Sequence, residues 1–300
     1  MTNRAREEIM TVLVLGATGN VGSKVVAELR ALGAPVRAFA RDREKAVSTL
    51  GPDAEVAVGN FDDPATVRRA LGGVDAVLIT ASDGPQKVEH ETNLIDIVAA
   101  EGARRVVKLS TVGAGTAPGP QFDAHGRIED HLARSGLPSV VLRSSFYMTN
   151  LLGSAEAIKA TGKLFAPAGG VKVSMIDPRD VAGVAARVLT TDAHEGKTYV
   201  LTGPELLTFD DVAAHLSAAT GRTVEFVDVP ADIAREQLLG TGMPDWMADL
   251  ILAAFKALRE GIAADTSDAV RALTGLEPRS FAAFARDHAA LFGGEGPSTP

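Results

Sequence analysis

The sequence predicts an α/β protein: a doubly wound parallel sheet carrying a smaller, mostly helical lobe toward its C-terminal end. Three observations predict it. Short apolar runs recur along the first half of the chain, each followed by a helix-like segment. Several of these runs, TVLVL and DAVLIT among them, are apolar on both faces, as parallel strands covered by helices on either side must be. The segments between them are long enough for crossovers rather than hairpins.

In chain order, strands are predicted at Thr11 to Leu15, Val36 to Ala40, Ala54 to Val58, Ala76 to Thr80, Val106 to Ser110 and Val140 to Arg143. They set the sheet within residues 10–145. After Arg143 the rhythm breaks in a Gly/Pro-rich stretch, GKLFAPAGGVKVSMIDPRD. A helix from about Val181 to Leu189 and a strand in KTYVLTG then return to the sheet, so that residues 181–202 belong with it. From Thr208 the chain reads as helical through FDDVAAHLSAAT, ADIAREQLLG, PDWMADLILAAFKALREG and PRSFAAFARDHAALF, with one strand, TVEFVDV, between. Residues 146–180 and 203–292 are therefore expected to form the lobe, and 293–300, GGEGPSTP, a loose tail. The sequence contains no internal repeat.

Composition narrows the partners. Over 300 residues, 30 Lys and Arg against 38 Asp and Glu give a net charge of −8, which disfavours nucleic acid or an anionic membrane surface. Small molecules, or another protein, remain. An apolar fraction of 46% with 23% charged residues is that of a folded globular chain. The absence of cysteine excludes disulfides, a thiol nucleophile and thiolate metal sites, and fits a reducing compartment. No apolar stretch reaches spanning length, and the start MTNRAREEIM places charges where a secretory signal needs apolar residues, so the expected location is the cytoplasm. The six histidines, at 90, 125, 131, 194, 215 and 288, show no metal-binding spacing, and no G-x-S-x-G turn is present.

The chemistry-bearing motif comes first. TVLVL runs directly into Gly16-Ala17-Thr18-Gly19-Asn20-Val21-Gly22 and then into a helix. Gly16 permits the sharp turn, Gly19 lets backbone approach a pyrophosphate, and Gly22 lets helix and strand pack closely. Backbone along Thr18, Asn20 and Val21, at the positive end of the helix, would then face the phosphates. Arg41 follows the second strand immediately and Lys45 stands one helical turn on, where the adenosine ribose is read. Cations there accommodate a 2′-phosphate, so NADP(H) is expected over NAD(H). Asp42 is placed to cap the helix or, alternatively, to bind the ribose. Asn60 and Phe61 after the third strand are expected to bracket the adenine, with a core role for Phe61 as the alternative. Thr80 closes the fourth strand beside the same crevice.

GATGNVG, RDREKA, GNFDD, VVKLSTVGA and LRSSFYMTN together resemble the NmrA-like group of atypical short-chain dehydrogenase/reductases, over nearly the whole chain. The resemblance implies a Rossmann-type sheet, NAD(P)(H) binding and one of two activities: reduction of quinones or aromatic alkenes, or redox sensing through protein contacts. Typical short-chain dehydrogenases use a Ser at the end of the fifth strand and Tyr-x-x-x-Lys on the next helix. Ser110 or Thr111 matches the first position. The only tyrosines, Tyr147 and Tyr199, lack a Lys four residues later, and Gln121 and His125 fall where the pair belongs. Gln cannot act as a proton acid, so simple alcohol oxidation should be very slow.

His125 is accordingly the candidate for contacting nicotinamide or substrate, and Tyr147 the reserve proton donor. Each has a plainer alternative. His125 would otherwise be an exposed helix residue paired with Glu129, Asp180 is expected to cap the helix at Val181, and Phe146, Tyr147 and Met148 either wall the nicotinamide and acceptor or pack the lobe. Trp246 heads a stripe of Met247, Leu250, Ile251, Ala254 and Phe255 that either closes the lobe's own core or roofs the pocket. The expected activity is hydride transfer from NADPH to an apolar electrophilic small molecule such as a quinone or conjugated carbonyl. The alternative is a non-catalytic NADP(H) sensor with a protein partner.

Overall fold

A computed structural model describes residues 10–294. The charged start at 1–9 and the tail beyond Gly294 lie outside the described residues. Seven parallel strands form one sheet in the order β3-β2-β1-β4-β5-β6-β8. They are β1 (Val12–Leu15), β2 (Val36–Ala40), β3 (Glu55–Val58), β4 (Ala76–Ile79), β5 (Arg105–Thr111), β6 (Ser139–Ser144) and β8 (Thr198–Leu201). The crossovers are α1 (Gly22–Ala31), α2 (Arg43–Leu50), α3 (Pro64–Leu71), α4 (Lys87–Glu101) and α5 (Pro120–Arg134), and α7 (Pro178–Thr190) leads into β8. Strand order reverses between β1 and β4, which opens a crevice at their carboxyl ends.

The double burial read from the sequence is real: β1 and β4 are buried at every residue. Alternation along β5 sends Val107 and Leu109 toward α1 and α7, and Val106 toward α4 and α5. Lys108 follows Val106 onto the α4 and α5 side with no exposed surface.

The lobe has its own core around Phe209, Phe281, Phe284 and Phe292. Its helices are α6 (Ala155–Thr161), α8 (Phe209–Thr220), α9 (Ala231–Gly240), α10 (Asp245–Arg259) and α12 (Phe281–Asp287). Several expectations are corrected here. The Gly/Pro-rich stretch contains a strand, β7 (Lys163–Ala166), which pairs in parallel with β9 (Glu225–Asp228) to make a second, two-stranded sheet. A short helix, α11 (Ala269–Thr274), lies within the span assigned to the lobe, yet its Val270 packs with α7 in the core of the large sheet.

The cap of α7 is Asp177, whose side chain accepts from Arg179 N at 2.8 Å, because the helix starts at Pro178 rather than Val181. Asp180 instead accepts from the backbone N–H of Arg279 at 2.7 Å and pairs with its guanidinium, tying α7 to the C-terminal segment. Along α10 only Ala248, Ala257 and Leu258 are buried; Met247, Leu250, Ile251, Ala254 and Phe255 are half-buried and Trp246 is 38% exposed. The stripe therefore does not simply close the lobe core. Among the described residues no helix is long and apolar enough to cross a membrane.

Candidate active site

The glycine loop occupies the switch point. Gly16 has φ +84°, and a Cβ there would stand 2.1 Å from the carbonyl oxygen of Thr80, at the end of β4. A Cβ on Gly22 would stand 2.2 Å from the carbonyl oxygen of Gly16. Only glycine lets strand, loop and helix approach this closely. Gly19 differs: it is exposed, and a Cβ would meet only the Gly16 carbonyl, at 3.2 Å. Among the described residues no side chain caps α1; the Ser23 N–H turns back to the Gly19 carbonyl at 3.1 Å, and Val21 opens a helix whose positive end faces the loop, where an anion is favoured. Thr18 is half-buried in the loop. The Asn20 amide is already engaged, donating to Thr149 Oγ1 at 2.8 Å, and it pins the loop to the segment after β6. These features fit a pyrophosphate.

At the end of β2, Asp42 caps α2 by accepting from Lys45 N at 3.1 Å. Arg41 and Lys45 are exposed beside it. Phe61 stacks on Phe39 with ring centroids 5.6 Å apart and meets His90 edge-on, so one of its faces is already covered. The Asn60 side chain donates to Asp62 at 3.1 Å.

The centre of the site lies between β5, α4 and α5. Lys108 Nζ sits 2.8 Å from Glu91 Oε2 and 3.3 Å from His125 Nδ1, and also donates to the Leu109 carbonyl. Glu91 takes a second cation, Lys87, at 3.0 Å, and accepts from the Ala81 backbone N–H at 3.2 Å. Ser110 Oγ stands 3.4 Å from the same His125 nitrogen but donates its proton to Glu129 at 2.5 Å. Arg143 on β6 grips Glu129, with Nη2 at 2.6 Å.

His125 is thus buried among β5 and α4 residues, not displayed on the surface beside Glu129. Burial, and then the charges of Lys108 and Lys87, hold it well below its ordinary value of 6.5, so the ring is neutral near pH 7. Glu91 is held low because its two lysines outweigh the cost of burial. Burial lowers Lys108 against the pull of Glu91.

One turn before His125, Gln121 is also buried, and neither its Oε1 nor its Nε2 has a partner among the described residues. A buried carboxamide without partners costs stability unless a ligand completes it. Thr111 ends β5, half-buried, at the rim above. Burial pushes the Tyr147 phenol up to about 12, so it too holds its proton, while nearby Ser144 acts in the opposite sense.

Phe146 meets Phe209 and Phe255 at 6.3 and 6.1 Å, joining the post-β6 segment to the lobe, and keeps part of its surface. Met148 has no exposed surface; its side chain is part of the lobe core and has nothing to offer an acceptor. Helix α10 lies across the loop after β5: a Cβ on Gly119 would stand 3.1 Å from Ala253 Cβ. Among the described residues no group of three His, Asp or Glu is arranged to hold a metal ion.

Lys108, Glu91, Lys87 and Arg143 were not singled out from the sequence. The signal was there: a lysine inside the otherwise apolar run VVKL, in a sheet covered on both faces, demands a buried counter-charge.

A parallel sheet with a glycine loop fitted to a pyrophosphate at its switch point defines the class, a dinucleotide-binding α/β protein. Within that class the chain belongs to the NmrA-like family, whose pattern matches residues 8–285. It is 36% identical over 283 residues to the NAD(P)H azoreductase of Xenophilus azovorans, covering 94% of this chain and 99% of that protein. Its fold matches the NADPH-dependent quinone oxidoreductase QOR2 of Escherichia coli, solved with NADPH, at a TM-score of 0.85 and 29% identity, over 92% of this chain and 98% of that one. The Citrobacter triphenylmethane reductase, solved with NADP(H), matches at 0.83 and 26% identity, over 93% and 99%.

Proposed function

We propose that the protein is an NADPH-dependent reductase acting on apolar electrophilic small molecules such as quinones and conjugated carbonyls. The observation that carries this reading is a loop fitted to a dinucleotide at the β1/β4 switch point, together with a neutral, proton-bearing histidine beside β5 at the same carboxyl edge. The NADPH-bound quinone oxidoreductase relative and the azoreductase relative support it.

When bound, NADPH supplies a hydride from its nicotinamide. The loop from Gly16 to Gly22 holds the pyrophosphate, and Arg41 with Lys45 holds the 2′-phosphate, since Asp42 is committed to its helix cap. Thr80, Ser110 and Thr111 form the crevice wall, while Asn60 and Phe61 flank the adenine side. His125 gives a proton from Nε2 to the reduced acceptor, with Tyr147 in reserve. The Gln121 carboxamide, otherwise unpartnered, bonds the ligand. Phe146 and Trp246 present apolar surface to the acceptor.

NADPH consumption across quinones, enones, azo dyes and ketones tests the reading, and turnover well above background is expected for the electrophilic acceptors. Tight NADPH binding without turnover would instead favour a sensor that works through a protein partner. Arg41→Ala should erase about tenfold or more of the preference for NADPH over NADH, the worth of a charge-assisted contact. An unchanged ratio removes Arg41 from the site.

A further inference from the structure

A neutral imidazole is a very weak acid: it surrenders its Nε2 proton readily only if Nδ1 gains one in the same step. In this site one group is able to supply it. Ser110 Oγ stands 3.4 Å from Nδ1, but its single proton is directed to Glu129, which Arg143 holds in place. The other neighbour is Lys108 Nζ, at 3.3 Å, which carries donors and no acceptor while charged. Its proximity fixes Nδ1 as the acceptor and leaves the ring proton on Nε2, which has no partner among the described residues.

We propose that Lys108 is a proton lender for His125, a positioning residue that makes the neutral histidine an effective acid. The inference rests on the reductase reading above. In the reductive step the acceptor, a quinone, gains the hydride and becomes a hydroquinone anion. The Nε2–H bond breaks and its proton goes to the anionic oxygen, while a Lys108 N–H bond breaks and that proton forms Nδ1–H. His125 stays neutral and Lys108 becomes a neutral amine. After the product leaves, water protonates Nε2 and the Nδ1 proton returns to Lys108. One solvent proton is consumed per hydride, and no protein group is oxidised or reduced.

The surroundings favour the loan. Glu91 and Lys108 have no exposed surface, and Glu91 keeps Lys87, itself paired with the partly exposed Asp83 at 3.4 Å, as a cation partner when Lys108 lends its proton. Burial already disfavours the ammonium form of Lys108.

The test sets two acceptors against each other. 1,4-Naphthoquinone needs a hydride and a proton, whereas malachite green, a cationic triphenylmethane dye, becomes its neutral leuco form on gaining a hydride alone. Lys108→Met leaves Glu91 still paired with Lys87. It should lower quinone turnover by about tenfold or more, within the range of a lost general acid, while dye turnover changes less than about twofold. Equal losses on both acceptors in Lys108→Met, or no loss on either, would overturn the proposal.

Two measurements on the wild type do not depend on a folded variant or on dye turnover. Nitrogen-15 spectra of cofactor-free protein should show His125 bare at Nδ1 and protonated at Nε2 near pH 7; the opposite tautomer ends the proposal. Quinone turnover should depend on deuterium fraction along a curve, since two protons move together, and a straight line also ends it. A wild type that reduces neither acceptor overturns the reductase reading, and the tautomer still decides whether Lys108 sets the state of His125.

Discussion

At the scale of single residues, His125 has a cost that pH exposes. Unfolded, it titrates near 6.5; folded, burial and the Lys108 and Lys87 charges hold it well lower. Above about pH 6.5 it is neutral in both states and contributes no pH dependence. Below that, the unfolded chain takes up a proton that the folded chain refuses, and stability falls by up to about 1.4 kcal/mol per pH unit until the folded value is reached. Glu91 acts in a different window: its depressed value stabilises the fold above the ordinary carboxylate range and that contribution is lost at lower pH. Melting temperatures measured between pH 7 and 5 should therefore drop, and His125→Gln should flatten the drop. An unflattened slope would mean that His125 is protonated in the folded state after all. The same residue shows the limit of pattern reading. Position on a helix, three residues past a Phe and four before a Glu, gave no hint whether the imidazole faced solvent or the sheet; Lys108, one strand away in space and distant in sequence, decided it.

At the scale of elements, the connection from β1 through the glycine loop to α1 is the most tightly specified. Gly22→Ala places a methyl 2.2 Å from the Gly16 carbonyl, so loop or helix must shift. A loss of roughly 1–3 kcal/mol is expected from such overpacking, with a larger fall in NADPH affinity. Gly153→Ala is the control, since its Cβ would meet nothing within 4 Å. Chemical denaturation with cofactor titration reads both, and an undisturbed Gly22→Ala would show that the loop tolerates side chains. The same close packing explains why this part of the fold was legible: β1, β2, β4, β5 and β6 are short apolar runs whose identity depends on local pattern and double burial. β7 was not legible, because KLFA is four residues between glycines and prolines, and its partner β9 comes some sixty residues later. The α10 stripe was legible as an amphipathic helix, but which side would cover it was not. That depends on how the lobe stands over Gly119 and Phe146.

At the scale of the whole molecule, α9 and α10 form a hairpin clasped by Arg235, which bonds Asp245 and Asp249 at 2.8 Å each, and α10 packs against the loop after β5 at Gly119. Trp246 stands in the first turn of α10, partly open to solvent. An aromatic acceptor analogue added with NADP+ should quench its fluorescence, and Trp246→Ala should weaken the analogue much more than the cofactor. Quenching by NADP+ alone, or equal weakening of both, would place Trp246 away from the acceptor. The order in which the chain visits its two parts has one more consequence. It leaves the sheet after Ser144, builds β7, and returns to lay β8 against β6, pairing Ser144 with Leu201. It then departs again, and Arg279 comes back to Asp180 at the head of α7. During synthesis, therefore, β6 remains a bare edge until residue 201 has emerged from the ribosome, and α7 lacks its last tie until residue 279 follows. For that interval the nascent protein exposes an unpaired strand of an otherwise apolar sheet, the state most open to mispairing and most in need of a chaperone.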